Sequence, residues 1–495
     1  MATKRDLVEA YGFSRRRLVT AFISGAPGGR EVEPSRPGRA IVGGIALTVL
    51  VLAAAAVVGF LKPRADAGWA DTEGLVIVEE SGEQFLVQVD EEGGDTVLVP
   101  VVNTTSARLV LGPDLAPTTV PQEEVDRYAL TETVGILNAP PSLPSPNRLV
   151  GSGWTACTGR EQGVRIAVQE SPDVTVDGSA QVVRVGEEHH LLALGQTDEE
   201  GNARAFRMQM PSDPAVLNEM LGLLRGPALE EVPEVSRGWL DLFPAADPLA
   251  DASFAVEGQT GQPLAGVTLA NGAPATVGTL ATYNDGPVVL QAGGYQPLDA
   301  FAAAVYQSLR GAAPVEVSGD VGTRGSAAGD PGRWPTDLPE FATGDRTDSF
   351  CAVLRTHDDV PPTVELAVRP GDAAAADGVP VGTVAPAVQQ GRGAVVDSGG
   401  FGRGEAGDAF LVDAQGIRYA LQGNALTQLG YDGGSTPVVP ASWVEGFECG
   451  VALAREEALK TLSPDRQVAQ SCPGQRDADG AEAAPGGSGG TGGTG

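Results

Sequence analysis

The sequence predicts an α+β protein. A single N-terminal transmembrane helix is followed by an elongated extracytoplasmic domain of about four small α+β repeats around a central β-rich domain. Three observations predict this: an uncharged apolar run near the start, opposite charge balances on its two sides, and a Trp/Phe pattern that occurs twice far downstream.

The apolar run is AIVGGIALTVLVLAAAAVVGFL, 22 residues from Ala40 to Leu61. As a helix it is roughly 33 Å long, enough for a bilayer core of roughly 30 Å. Residues 1–39 carry eight basic and four acidic side chains, a net +4; the whole chain carries −31, so residues 62–495 carry −35. Basic flanks stay in the cytoplasm, which puts the bulk of the chain outside. A cleaved signal peptide finds an A-x-A site at Ala65-Asp66-Ala67. However, the run exceeds the 7–15 residues of such an h-region, and 39 residues make a long n-region. A soluble core helix is disfavoured because the run has no polar face.

Ahead of the run, RDLVEAYGFSRRRLVTAF (5–22) spaces Leu7, Tyr11, Leu18, Val19 and Phe22 at helical intervals around a basic cluster. A cytoplasmic amphipathic helix is expected, although Gly12 weakens it. Such a helix suits anionic lipid or a partner protein. Gly, Pro and Arg make 25–39 a linker.

Across the whole chain Gly (67) and Pro (37) are abundant and aromatics are only 5%, which implies many short elements with frequent turns beyond the run. LVIVEESGEQFLVQV reads as two strands around Ser81-Gly82, TVLVPVV as a third, and Val120-Pro121 opens a helical turn. APPSLPSPN (139–147) is a stiff connector. The pattern V-[SP]-x-x-W-[VL]-x-x-F occurs at Val235–Phe243 and Val439–Phe447, with echoes at Val120-Pro121…Val125 and Val317-Ser318…Val321. Trp239 and Phe243, like Trp443 and Phe447, stand four apart on one helical face, so each pair is expected to anchor a repeat core. Strand-like runs precede the later copies (181–194, 279–290, 409–421), and short helices intervene at 216–224 and 298–309. Units this small need packed neighbours. The stretch 258–276 is Gly/Ala-rich, and 319–333 is expected to be a loop. Trp154–Val168 and Ser349–Val368 fit no copy. They contain VRIAV and TVELAV and one Cys each, and are expected to pair as a central piece.

The expected division is 1–39 cytoplasmic, 40–61 transmembrane and 62–465 extracytoplasmic. Repeats fall near 72–138, 178–248, 277–320 and 405–460, with a central domain near 147–172 and 346–397. A Gly-rich tail, disordered by composition, fills 466–495. The four cysteines all lie in the exported region, where disulfides persist, and none has C-x-x-C spacing. Four cysteines allow three pairings; Cys157–Cys351 is favoured because the central strands bring the two together, leaving Cys449–Cys472.

Several segments, in order along the chain, resemble the EccB family of type VII secretion. They are RDLVEAYGFSRRRLVTAF before a single span, NTTSARLVLG (103–112), LPSPNRLVGSGWTAC ending at Cys157, SFCAVL around Cys351, GRGAVV (391–396), QGIRYAL…ALTQLGY (415–431) and VVPASWVEGF followed by CGVALAREEAL. The resemblance implies four repeats about a central domain and a disulfide there, which supports Cys157–Cys351. It implies membership of an inner-membrane complex with EccC, EccD and EccE that exports small helical-hairpin substrates, and contact with peptidoglycan. The role expected for this chain is a structural, non-enzymatic scaffold that self-associates outside the membrane, in the periplasm. Cys449 departs from the family pattern, where L-P-x-G-P is usual, and suggests an extra local disulfide with Cys472.

The resemblance also implies ATPase activity, which the residues do not support. No G-x-x-x-x-G-K-[ST] occurs, and none of the three lysines (Lys4, Lys62, Lys460) follows a glycine loop. Gly399–Gly404 lacks a Lys and reads as a turn. His189 and His190 would point to opposite faces of a strand, and His357-Asp358-Asp359 reads as a surface turn. The one G-x-S-x-G, around Ser488, falls in the tail. No catalytic residue, cofactor or metal ligand is assigned. The acidic balance disfavours nucleic acid, which needs Lys/Arg clusters. The alternatives are an extracytoplasmic nucleotide or cell-wall hydrolase, and a peptidoglycan-binding tether.

Overall fold

The computed structural model describes residues 3–24, 37–61, 68–89, 96–159, 163–196, 204–326, 329–341, 349–357, 360–369, 376, 378–402, 406–431 and 436–462. The chain divides into two compact units, Met1–Asp66 and Ala67–Gly495.

The first unit holds two helices, α1 (Lys4–Ser24) and α2 (Pro37–Leu61). The Asp6 carboxylate accepts from both the backbone N–H and the hydroxyl of Thr3, satisfying donors that the first turn leaves open. These bonds, the side-chain one first, hold the Asp6 carboxyl below its usual range. Gly12 does not interrupt α1. Pro37 opens α2, where a missing N–H costs nothing. Inside α2 the hydroxyl of Thr48 donates to the Gly44 carbonyl at 2.8 Å, so this polar group has a partner within the helix. Among the described residues no helix is long and apolar enough to cross a membrane.

The second unit is α+β, with five sheets among its described residues. The first sheet contains β1 (Gly74–Val78), β2 (Gln84–Val89), β3 (Thr96–Val101), β4 (Thr118–Val120) and β5 (Ala129–Leu130), in order β4-β1-β2-β3-β5. Its middle is an antiparallel meander. A short parallel strand flanks each edge, and the turn α4 (Gln122–Val125) joins those flanks. The last sheet repeats this arrangement with β22 (Ala394–Gly399), β23 (Ala406–Val412), β24 (Ile417–Leu421), β25 (Val438–Pro440), the turn α9 (Ala441–Val444) and β26 (Glu448–Cys449). The three-stranded sheet of β9 (Gln181–Val185), β10 (Glu188–Leu194) and β11 (Ala205–Gln209) is flanked only by single parallel bridges, Arg184 to Glu234 and Arg207 to Ala245. Between those bridges lies α6 (Arg237–Leu240). In the seven-stranded sheet the meander is β14 (Leu280–Tyr283), β15 (Gly286–Gln291) and β16 (Gly294–Pro297). Its parallel flanks are β17 (Val315–Ser318) and β18 (Thr323–Arg324).

One expectation gives way in part: 319–333, expected to be a loop, contributes the two-residue β18. The Gly/Ala-rich 258–276 forms the hairpin β12 (Pro263–Leu269) and β13 (Pro274–Thr276), which extends that sheet beyond β17.

Each meander leads into a helix: α3 (Thr104–Leu111), α5 (Pro214–Leu224), α7 (Ala300–Arg310) and α8 (Ala425–Gln428). Asn103, Asp213 and Asp299 each accept from backbone N–H groups of the first turn. The buried stripe of α5 (Leu217, Met220, Leu221, Leu224) follows helical spacing and packs with Phe301, Val305 and Tyr306 of α7. In the same way Leu109 of α3 meets Ala425 of α8, Leu429, and Ala458 of α10 (Arg455–Ala458).

The six-stranded sheet runs β21-β7-β6-β19-β20-β8, from β6 (Trp154–Gly159), β7 (Val164–Val168), β8 (Thr175–Val176), β19 (Ser349–His357), β20 (Val360–Val368) and β21 (Val384–Val388). The two segments expected to pair do so, β6 against β19.

Candidate functional site: an aromatic junction and its charged rim

One face of the six-stranded sheet presents Trp154, Ile166, Phe350, Leu354 and Leu366. Val183, Leu192, Trp239 and Phe243 from the three-stranded sheet and its turn pack there. So do Val396, Phe410, Trp443 and Phe447 from the last sheet. The four aromatic residues expected as separate repeat anchors are thus brought into one core. All four are buried.

Every indole N–H in this core has an acceptor, as burial demands. Trp239 Nε1 donates to the Ala156 carbonyl at 3.0 Å, tying α6 to β6. Trp443 Nε1 donates to the Leu242 carbonyl at 3.0 Å, tying α9 to the chain just after α6. Trp154 Nε1 donates to the Val150 carbonyl at 2.8 Å. The rings meet edge to face: Trp239 with Phe243 at 5.1 Å and Trp154 with Phe447 at 5.5 Å between centroids. Ser236 caps α6 by accepting from Trp239 N at 3.2 Å, which fixes where the indole enters. Sequence reasoning missed Trp154 as the third indole. Its signal was the run GSGWTAC beside a strand-like stretch.

On the opposite face Cys157 and Cys351 are register partners with Cα atoms 4.1 Å apart, and they are disulfide-bonded. Val353 and Ala367 surround them. Cys449 is also disulfide-bonded; Cys472 lies outside the described residues, as does the tail 466–495.

A charged rim borders the core along the three-stranded sheet. Glu188 pairs with Arg237, Arg207 with Asp241, and Arg184 with Glu234 at 2.7 Å. The Arg237 hydrogen bond holds the Glu188 carboxyl below its usual range. His190 is buried among them, its Nε2 3.8 Å from Glu188 Oε2. Burial first, then Arg237 and Arg207, lowers its proton affinity below the ordinary imidazole value. His189 lies on the other side of β10 and is only partly buried. His357 ends β19 exposed, while Asp358 and Asp359 lie outside the described residues. Gly399 ends β22, Gly400 and Gly402 continue into a bend, and Gly404 is outside the described residues. Among the described residues no group of three His, Cys, Asp or Glu is placed to hold a metal ion.

What this arrangement performs is cohesion: three indoles and their acceptors lock two turns from distant parts of the chain onto one sheet. The class it defines is a structural protein built from several small sheets. A family profile described as "Type VII secretion system ESX-1, transport TM domain B" matches residues 1–463, and the chain belongs to this family, the EccB family of type VII secretion. The protein named ESX-2 secretion system ATPase EccB2 of Mycobacterium tuberculosis is 24% identical over 495 residues, covering 92% of this chain and 94% of that one. The ESX-3 secretion system ATPase EccB3 of Mycolicibacterium smegmatis is 26% identical, covering 92% and 90%. A stronger local match, to EccB3 of M. tuberculosis, is 31% identical over 156 residues and spans only 27% of that relative's length. The fold is shared with a chain of an intact ESX-5 inner membrane complex, with a TM-score of 0.58 at 20% identity, covering 95% of this chain and 98% of that one. It is also shared with the EccB3 dimer from the ESX-3 core complex, with a TM-score of 0.57 at 20% identity, covering 78% and 100%.

Proposed function

We propose that this chain is a structural subunit of a type VII secretion membrane complex, holding that assembly together rather than catalysing a reaction. The observation that carries the reading is the family match over residues 1–463, and the aromatic junction gives it a physical form. In this reading 40–61 crosses the inner membrane once, with 1–39 cytoplasmic and the sheets outside. The +4 and −35 charge balances support that orientation. The four meander-and-turn sheets act as repeats about the six-stranded sheet, with Ala394–Gly399 counted to the fourth. Trp239, Phe243, Trp443 and Phe447 serve as their anchors, and Cys449 pairs with Cys472 near the end.

The partners are EccC, EccD and EccE, together with a second copy of this chain. An EccB3 dimer and an ESX-5 inner membrane complex among the shared folds support both. The substrates are small helical proteins. Affinity purification of the tagged full chain from gently solubilised native membranes tests the reading. Co-purification of EccC, EccD and EccE in one large particle is the expected result; a lone monomer or dimer across several detergents overturns it. ATP turnover belongs to the names of the relatives, and a phosphate-release assay on the purified chain settles it separately.

A further inference from the structure

The first sheet departs from the two that dock on the centre. Aligning Val120 with Val235 puts Glu124 where Trp239 stands and Tyr128 where Phe243 stands. The missing indole is supplied from elsewhere. Trp69 packs edge to face on Tyr128 at 5.2 Å and 69°, close to the 5.1 Å and 68° of Trp239 on Phe243. The Thr96 hydroxyl, at the start of β3, donates to the Ala70 carbonyl at 2.8 Å and holds the segment in place. Directly after Tyr128, β5 pairs with β3 and leaves Leu130 57% exposed. Trp69 and Tyr128 are themselves only partly buried. The result is a half-exposed aromatic pair with an exposed leucine two residues beyond Tyr128 in the chain, on the sheet nearest in sequence to the apolar helix.

Seven residues separate Leu61 from Trp69, and the eight Cα-to-Cα steps between them span at most about 29 Å when extended. The headgroup layer beyond the hydrocarbon is roughly 5–8 Å deep on each side. A tether this short keeps the patch at high effective concentration against the bilayer, so a contact too weak to form between separate molecules forms within one. Tyr and Trp favour that boundary because their rings are apolar at one end and polar at the other. The flanking exposed acids Asp71, Glu73, Asp126 and Glu132 would be repelled by anionic lipid.

We propose that Trp69, Tyr128 and Leu130 form a lipid-contacting surface that seats the first sheet on the outer headgroup layer of a zwitterionic bilayer. This rests on the reading that 40–61 spans the membrane, so the experiment probes that separately. Nitroxide labels on Leu130→Cys, on Leu50→Cys in α2, and on Val381→Cys (also exposed, 67%) go into the full chain in phosphatidylcholine nanodiscs. Collision with an aqueous nickel chelate is the readout. The label at 130 is expected to be about threefold less accessible than that at 381, and to regain accessibility when Trp69 is also changed to Ala. Equal accessibility at 130 and 381 with 50 protected overturns the proposal and leaves the anchor standing. A label at 50 as open as that at 381 overturns the anchor. Protection at 130 only in the assembled secretion complex also overturns the proposal and assigns the patch to a protein neighbour.

Discussion

His190 is the residue whose environment makes the clearest demand on solution behaviour. It faces Glu188 on its own strand, Arg237 from α6 and Arg207 from β11, inside a nearly dry pocket. Its folded-state proton affinity is lowered, so between the ordinary pKa near 6.5 and the lower folded value the unfolded chain binds the proton and the folded one does not. Stability is therefore fully present above about pH 6.5 and falls as pH drops through that window, by at most about 1.4 kcal/mol per pH unit. Urea midpoints at pH 7.5 and 5.5 are expected to differ more for the parent than for His190→Gln. Parallel behaviour of the two would show that the imidazole is not the responsible group. His189, partly buried, also has its affinity lowered by burial, and the comparison with the single variant separates the two.

At the scale of elements, β21 joins the central sheet because residue 163 has no side chain. Gly163 N donates to the Val379 carbonyl and Val164 N to the Thr383 carbonyl, both at 2.9 Å. A Cβ on Gly163 would stand 2.3 Å from the Pro380 carbonyl oxygen and 2.5 Å from that of Thr383. Both are backbone atoms and cannot swing aside. Gly163→Ala is expected to cost roughly 1–3 kcal/mol and to raise amide exchange in β21 well above that in β20. Unchanged exchange in β21 would mean the loop accommodates the methyl freely. Elements of this kind differ in how far they can be read from sequence. The α6 and α9 turns are legible from their Trp and Phe, but each helix ends before its Phe, α6 at Leu240 and α9 at Val444. Phe243 and Phe447 therefore reach the core from the chain beyond the helix and not from one helical face. β1, β2 and β3 are legible from alternation. The hairpin β12–β13 is hidden by small residues that give no alternation, although Asn271-Gly272 marks its turn: Gly272 has φ +82° and Asn271 Oδ1 accepts from Ala273 N at 3.0 Å. That Trp239 and Phe243 share one core with Trp443, Phe447 and Trp154 is a long-range packing fact, which no local pattern encodes.

At the scale of the whole molecule, the Cys157–Cys351 bridge encloses 194 residues of sequence separation, including the whole of the three-stranded and seven-stranded sheets. The first and last sheets lie outside that loop. The bridge sits on the far face of the central sheet from the aromatic junction, so the same two strands are held covalently on one face and by packing on the other. Long closed loops gain most from a cross-link in the chain-entropy account, typically about 2–5 kcal/mol for a native disulfide. Cys157→Ala combined with Cys351→Ala avoids leaving a lone thiol and is expected to lower the melting temperature. The loss should not be uniform. Amides of α5 and α7 inside the loop should lose more protection than those of β22 and β23 outside it, because the enclosed sheets are then held at the centre by the packing of Val183, Leu192, Trp239 and Phe243 without the covalent closure. Equal loss inside and outside would show that all five sheets unfold as one cooperative unit. In that case the bridge would stabilise the whole second unit through the central sheet, and the aromatic junction, not the loop, would set the boundary of cooperativity.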